Sequence, residues 1–279
     1  MRTYWLIAAA IVLIAYLWFR STRQNGAIVR ALRIARVMNG ALTAYREGDY
    51  QSALEKAEGL KDDLSKTAEY CFFHGSMLHH LGRFDEAEAS LREGLPLEED
   101  PRKKALVFNT LASVLMAQQR FPEAIAFYES AGRAWPERGS NHRGIAEVWL
   151  RQGRELTQAL EHAQLAVKID RQAGGMQKDT LDTRLGEDLG VLAWAVAATS
   201  GDASAVETIL AEAFPLCGTK TKPILAELHY HAGRAYGALE MRDKSQEHFQ
   251  QAAANDPHGI FGNLARCSTA PTVPRLTSD

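Results

Sequence analysis

GRFDEAEASLREGL, residues 82–95, returns in altered form at two other places, GDYQSALEKAEGL at 48–60 and QRFPEAIAFYESAGRAWP at 119–136. In each phrase an aromatic residue (Tyr50, Phe84, Phe121) is followed three places later by an alanine (Ala53, Ala87, Ala124), and successive alanines lie 34 and 37 residues apart. A fourth phrase, GRELTQALEHAQLAV at 153–167, puts Ala159 a further 35 residues on, and MRDKSQEHFQQAAANDP at 241–257 ends the series. Self-similarity at such a period marks an array of supersecondary units, each too small to bury its apolar face without a neighbour. No stretch alternates with period two for long enough to demand a sheet, so the units are expected to be helical.

Small residues fall where two helices would cross. Ala41, Gly75, Ala112, Ala146 and Gly233 belong to the first helix of their units, and Ala53, Ala87, Ala124 and Ala159 to the second. Pro122 and Glu123 suit a first helical turn, where proline loses no hydrogen bond and an acid meets the positive end of the dipole. The pattern resembles the tetratricopeptide repeat family, in plan its membrane-anchored bacterial members, over residues 34–257. In AELHYHAGRAYGALEMRDKSQEHFQQAAANDP (226–257), Gly233 and Tyr236 match the small and aromatic places of the first helix, Phe249 and Ala252 the bulky and small places of the second, and Pro257 the stop. Leu111, Ala112, Leu115, Phe121, Ala124, Tyr128, Ala131 and Pro136 repeat that register, as do Gly75, Leu78, Phe84, Ala87 and Leu91, with Pro101 as a late stop.

The resemblance implies an all-α solenoid of helix-turn-helix repeats. Five units are clear, and a degenerate sixth lies in DLGVLAWAVAATSGDASAVETILAEAF (188–214), broken at Gly201 and carrying Trp194 where the family prefers a small residue. The long inter-repeat segment 171–187 reads equally as extended helix or as loop. Residues 258–279 read as a short cap followed by a disordered Pro, Thr and Ser-rich tail.

The N-terminus is of another kind. After a short flank at 1–3, residues 4–19 (YWLIAAAIVLIAYLWF) hold no charge, proline or glycine. As a helix they would span roughly 24 Å against a hydrocarbon layer of about 30 Å. Tyr4, Trp5, Tyr16, Trp18 and Phe19 would sit at the two interfaces, with Arg2 and Arg20 reaching outward. Bulky side chains before Arg20 do not suit a cleaved signal, so the stretch is expected to be a single transmembrane anchor.

A basic juxtamembrane segment, 20–33, follows. No acid precedes Glu47, and Arg20, Arg23, Arg30, Arg33 and Arg36 crowd the C-terminal flank, so the soluble part is expected in the cytoplasm. In AIVRALRIARVM (27–38), Arg30, Arg33 and Arg36 fall three apart, opposite Ile28, Leu32, Ala35 and Val37 or Met38. The three arginines read equally as a face laid on an anionic leaflet and as the solvated stripe of a soluble helix.

Composition and motifs narrow the chemistry. The 279 residues are 46% apolar and 24% charged with a net charge of −2, which excludes a disordered or collagen-like chain. Cys71, Cys217 and Cys267 are odd in number and far apart, which suits a reducing compartment, with Cys71 in the core. His79 and His80 are adjacent and His229 and His231 two apart, so neither pair shares a helix face as a metal pair would. GTKT (218–221) lacks the upstream glycine of a phosphate loop. Neither an HExxH nor a GxSxG motif occurs. No enzyme activity, cofactor, metal, nucleic acid or small-molecule substrate is expected.

In the family the first helices line a concave groove that receives a peptide or a helix. Carried onto this chain, the groove positions are Phe72, Ser76 and His79; Asn109, Ser113 and Met116; Arg143, Glu147 and Leu150; and Tyr230 and Arg234. The family's carboxylate clamp for chaperone tails would need Lys and Asn where Met38 and Leu42 stand, so that partner is not expected. The function expected is a membrane-tethered scaffold or adaptor that binds other proteins in the groove. The alternatives are a periplasmic or lumenal assembly factor of reversed topology and a subunit of a membrane enzyme complex with a role for residues 171–222.

Overall fold

A computed structural model describes residues 27–65, 67–174, 177–217 and 221–269. The anchor segment 4–19, Arg20, Arg23 and the tail from 270 lie outside the described residues. Among the described residues no helix is long and apolar enough to cross a membrane, and none of them forms a strand.

Fourteen α-helices follow in order: α1 (27–46), α2 (Tyr50–Glu58), α3 (Lys61–Leu64), α4 (Ala68–His80), α5 (Phe84–Gly94), α6 (Pro101–Ala117), α7 (Phe121–Ala134), α8 (Ser140–Gln152), α9 (Leu156–Gln172), α10 (Lys178–Ser200), α11 (Ala203–Cys217), α12 (Lys222–Ala238), α13 (Arg242–Asn255) and α14 (Ile260–Thr269). They stack as six antiparallel pairs, α1/α2, α4/α5, α6/α7, α8/α9, α10/α11 and α12/α13, with α14 capping the last.

The crossings are as tight as the small residues require. Ala41, Ala53, Ala87, Ala112, Ala124, Ala146 and Ala159 are all fully buried. A Cβ added at Gly75 would lie 2.7 Å from Leu91 Cγ, one at Gly144 2.2 Å from Tyr128 Cε1, and one at Gly233 2.7 Å from Phe249 Cδ1. Glycine at these places lets a bulky side chain of another helix fill the space a Cβ would take. Cys71 lies in this core as expected.

The turn inside each pair also repeats. Gly48, Gly82, Gln119, Gly153, Gly201 and Glu240 all have positive φ, between 60° and 80°. In five of these turns the next amide donates to a carbonyl five residues back: Asp49 to Ala44, Arg83 to Leu78, Arg120 to Leu115, Arg154 to Trp149 and Met241 to Tyr236. That bond terminates the first helix by satisfying a carbonyl its last turn would leave open.

Within 171–187, α9 runs to Gln172 and α10 begins at Lys178, with Ala173, Gly174 and Gln177 outside helix. The 171–222 region is thus largely the fifth helix pair. In α10 the close approaches fall at Gly186, whose added Cβ would be 2.4 Å from Cys217 Sγ, and at Gly190, 2.9 Å from Leu228 Cδ1. Trp194 instead packs edge-on to Tyr230 with ring centroids 6.5 Å apart. Pro101, expected to close the second unit, opens α6, with Asp100 capping the amides of Arg102 and Lys103. The expected cap of the array is α14, which buries Ala265 against Tyr230, Phe249 and Ala252.

Two stability predictions follow from these contacts. Gly144→Ala drives a methyl into the Tyr128 ring and is expected to destabilise the fold by about 1–3 kcal/mol in a denaturant titration; no loss would mean that α7 and α8 part freely. A non-glycine residue with positive φ is strained by about 1–2 kcal/mol, and glycine gives back about 0.5–1 in chain entropy. Gln119→Gly and Glu240→Gly are each therefore expected to stabilise by up to about 1 kcal/mol, and a lowered midpoint in both would count against strain in these turns.

Candidate functional site

The expected groove residues lie on the first helices α4, α6, α8 and α12, and the chain's own groups engage many of them. On α4, Phe72, Ser76 and His79 are half-buried, and Ser76 Oγ donates to the Phe72 carbonyl at 2.7 Å. On α6, Asn109 Nδ2 donates to Asn141 Oδ1 of α8 at 2.5 Å, and Ser113 Oγ lies 2.9 Å from the Tyr128 hydroxyl. Met116, Leu150 and Tyr230 are buried among the helices. Arg234 lies over the Trp194 ring, 4.4 Å from its centroid.

The charged residues form two knots. Arg143 of α8 reaches Glu187 of α10 at 2.5 Å, Glu227 of α12 at 3.3 Å and Asp188 of α10 at 3.6 Å. Burial opposes the guanidinium charge, but these three carboxylates together hold Arg143 well above its usual range. Burial pushes the Glu227 carboxyl up to about 8 against the pull of Arg143, and the charges of Glu187 and Glu147 add to the rise. In the second knot, Glu147 accepts from Arg151 at 2.6 Å and faces His231 at 3.7 Å. Burial alone would raise Glu147, but Arg151 and His231 bring it below the usual carboxylate range. Arg143 and Glu147 are among the residues expected from the sequence; their partners Glu187, Glu227 and His231 lie 44 to 84 residues away, a pairing no local spacing reveals.

Curvature brings the ends of the stack together. A Cβ at Gly48, in the α1–α2 turn, would lie 3.6 Å from Pro223 Cγ at the start of α12. Tyr50 stacks on His80 with centroids 4.5 Å apart, and Tyr45 meets the same imidazole edge-on. Burial pushes the Tyr45 phenol up to about 12, and Glu187, Glu227 and Asp256, from the far end of the chain, add to it. Burial pushes His80 down to about 4. The concave side is therefore narrow and dense in ionisable groups.

The convex side carries a cleft of about 480 Å³ between α7, α8 and α9, lined by Ile125, Tyr128, Ile145, Trp149, Glu129 and His162 among others. His142 and His162 meet there Nδ1 to Nδ1 at 2.9 Å, and His229 and His248 repeat the contact two units later. Among the described residues no group of three or more His, Cys, Asp or Glu could hold a metal ion.

The structure describes three of the five expected membrane-surface arginines. Arg30 and Arg33 both donate to Asp63 of α3, Arg30 Nε at 2.6 Å. Val37 and Met38, expected beside Ile28 and Leu32, turn inward and are half-buried, and Arg36 is exposed.

Glu227 gives the first knot a pH signature. Its folded pKa lies above its unfolded value, so the folded state binds the extra proton, and stability is lost as pH rises from about 4.5 toward about 8. Glu227→Gln is expected to melt higher than the parent chain at pH 8, with the gap closing by pH 5. A gap that stays constant across this range would dissociate Glu227 from the effect.

The profile of the tetratricopeptide repeat family matches residues 38–102 and 109–174, and a second tetratricopeptide repeat profile matches 226–258. No curated protein matches the chain in sequence. Among solved structures, the APC/C hetero-tetramer Cut9–Hcn1 is similar with a TM-score of 0.57 at 17% identity, over 78% of this chain and 39% of that one. The chain thus spans well under half the length of that neighbour. The apo form of RapI is similar with a TM-score of 0.53 at 12% identity, over 84% of this chain and 97% of that one. At these identities the likeness concerns the fold alone. The repeat profiles cover more than half of the chain, in register with the stacked helix pairs, and the chain belongs to the tetratricopeptide repeat family.

Proposed function

We propose that this chain is a non-catalytic scaffold, held by residues 4–19 in a membrane with its repeat array in the cytoplasm, that gathers partner proteins by binding a peptide or helix along the concave side. The observation that carries the reading is the Arg143 knot. Three successive first helices bring charged side chains to one place, and Arg143, Glu187 and Glu227 each keep 15% to 18% of their side-chain surface accessible. Groups so placed can be reached by a partner's own charges, and hydrogen bonds to charged groups are strong and directional. Beside them, Phe72 offers a half-covered ring and Ser76, Asn109 and Ser113 offer polar atoms, the mixture of apolar anchor and polar contact that interface hot spots use. The anchor reading rests on the uncharged run of 4–19 and its aromatic flanks, and the orientation on Arg20, Arg23, Arg30, Arg33 and Arg36.

Photo-crosslinking in native membranes tests the groove. A photoreactive residue at Phe72 or Asn109 of the intact protein is expected to capture a protein partner, whereas one at the exposed convex residue Glu161 is expected to capture at most a few-fold less. Capture from Glu161 alone would move the binding surface to the outside of the array. A reporter enzyme fused after Asp279 that works only outside the cytoplasm would reverse the topology.

A further inference from the structure

The observation that goes furthest beyond the groove is the outer face of α1. Ile28 is 53% exposed, Val29 65% and Leu32 65%, while the same helix buries Ala41 and Ala44. With about 100° of rotation per residue, Ile28 and Leu32 stand on one side of α1, with Ala31 and Ala35 beside them, all exposed. Two of the three arginines of that helix are turned the other way, onto one carboxylate: Arg30 Nε donates to Asp63 Oδ1 at 2.6 Å, and Arg33 donates to Asp63 Oδ2, while Arg36 stays exposed and can meet lipid phosphates. Asp63 is 10% exposed and belongs to α3, which α2 joins to the rest of the array.

We propose that α1 lies in the membrane interface with Ile28, Val29 and Leu32 inserted and with its basic side clasped to the array through Asp63. This rests on the reading of residues 4–19 as an anchor. The occupant follows from the chain itself: the apolar run ends at Phe19, and the described part of α1 starts at Ala27, with seven residues between them. Seven residues reach at most about 24 Å even when fully extended, so Ala27 stays within that distance of the end of the apolar run. An exposed apolar stripe held at that height meets the boundary between headgroups and acyl chains, the setting in which amphipathic helices bury such a face. Arg20 and Arg23 fall in the link, where they can meet anionic headgroups. The roles are the inverse of those in the leaflet reading of the sequence, with the apolar side toward lipid and Arg30 and Arg33 toward protein.

The test uses the full chain, carrying Cys267→Ser, reconstituted in vesicles of phosphatidylcholine and phosphatidylglycerol with or without brominated acyl chains. Cys71 and Cys217 are buried, so Leu32→Cys gives one reactive thiol for an environment-sensitive fluorophore, and Glu161→Cys gives a control. Quenching by brominated lipid at least threefold stronger at position 32 than at 161 is expected. Equal quenching at the two positions in protein that resists carbonate extraction would overturn the inference while leaving the anchor intact. Crosslinks between copies at position 32 without lipid quenching would assign the face to a second copy and overturn it too. Release of the protein by carbonate would remove the anchor reading and the inference together.

Discussion

The close approach of neighbouring helices, within a pair and between pairs, is the constraint on which the rest of this structure depends. A Cβ at Gly144 would lie 2.2 Å from the Tyr128 ring, and those at Gly75 and Gly233 would each lie 2.7 Å from a bulky side chain. Contacts this short fix which helix stacks on which and with what tilt. Because no unit closes its own core, tilt accumulates from pair to pair, as in repeat arrays generally. Six pairs suffice here to bring Gly48 onto Pro223. The turns hold the same geometry, since a positive φ at one place in each pair sets where the second helix departs.

Curling has an electrostatic consequence. It crowds the acids of α10 and α12 around the one guanidinium of Arg143 and leaves the Glu227 carboxyl raised by burial to about 8. Buried ion pairs seldom add net stability over an apolar packing of the same shape, because desolvation offsets the attraction. Alanine and leucine would hold these helices together at least as well. A knot kept partly accessible on the concave side, while Arg184 and Asp170 pair almost fully buried deeper in the same region, is a reason to look for its role in recognition rather than in folding.

The sequence discloses what depends on local spacing. The buried alanines, Gly75, Gly233 and the proline at the start of α7 are each legible from residues within one or two helical turns, and each occupies the place its spacing implies. The fifth pair is harder to read, because its crossing residues are Gly186 and Gly190 while Trp194 stands in the register position. Gln119 and Glu240 take the left-handed turn position that glycine holds in the other units, so a search for glycine passes over them. What spacing cannot show is pairing across the array. Asp63 meets Arg30 and Arg33 from about thirty residues away, and Glu227 meets Arg143 from 84. The second contact comes from the stacking of successive pairs, which no single unit encodes.

The clasp at Asp63 connects the two ends of the argument. A flexible tether would let the array sample a hemisphere of orientations, and a membrane partner would gain only from nearness. A first helix seated in the interface and joined to α3 by two charge-assisted hydrogen bonds through one carboxylate removes much of that freedom. On the proposed seating it would also set the angle at which the concave side faces the bilayer. Binding by a partner in the same membrane then becomes nearly intramolecular, and its strength depends on whether geometry allows both contacts at once. Partner choice in such an array would rest on the orientation of the groove as much as on its side chains. The rigidity that the tight helix crossings supply is what allows an orientation fixed at α1 to reach Arg143 three units away.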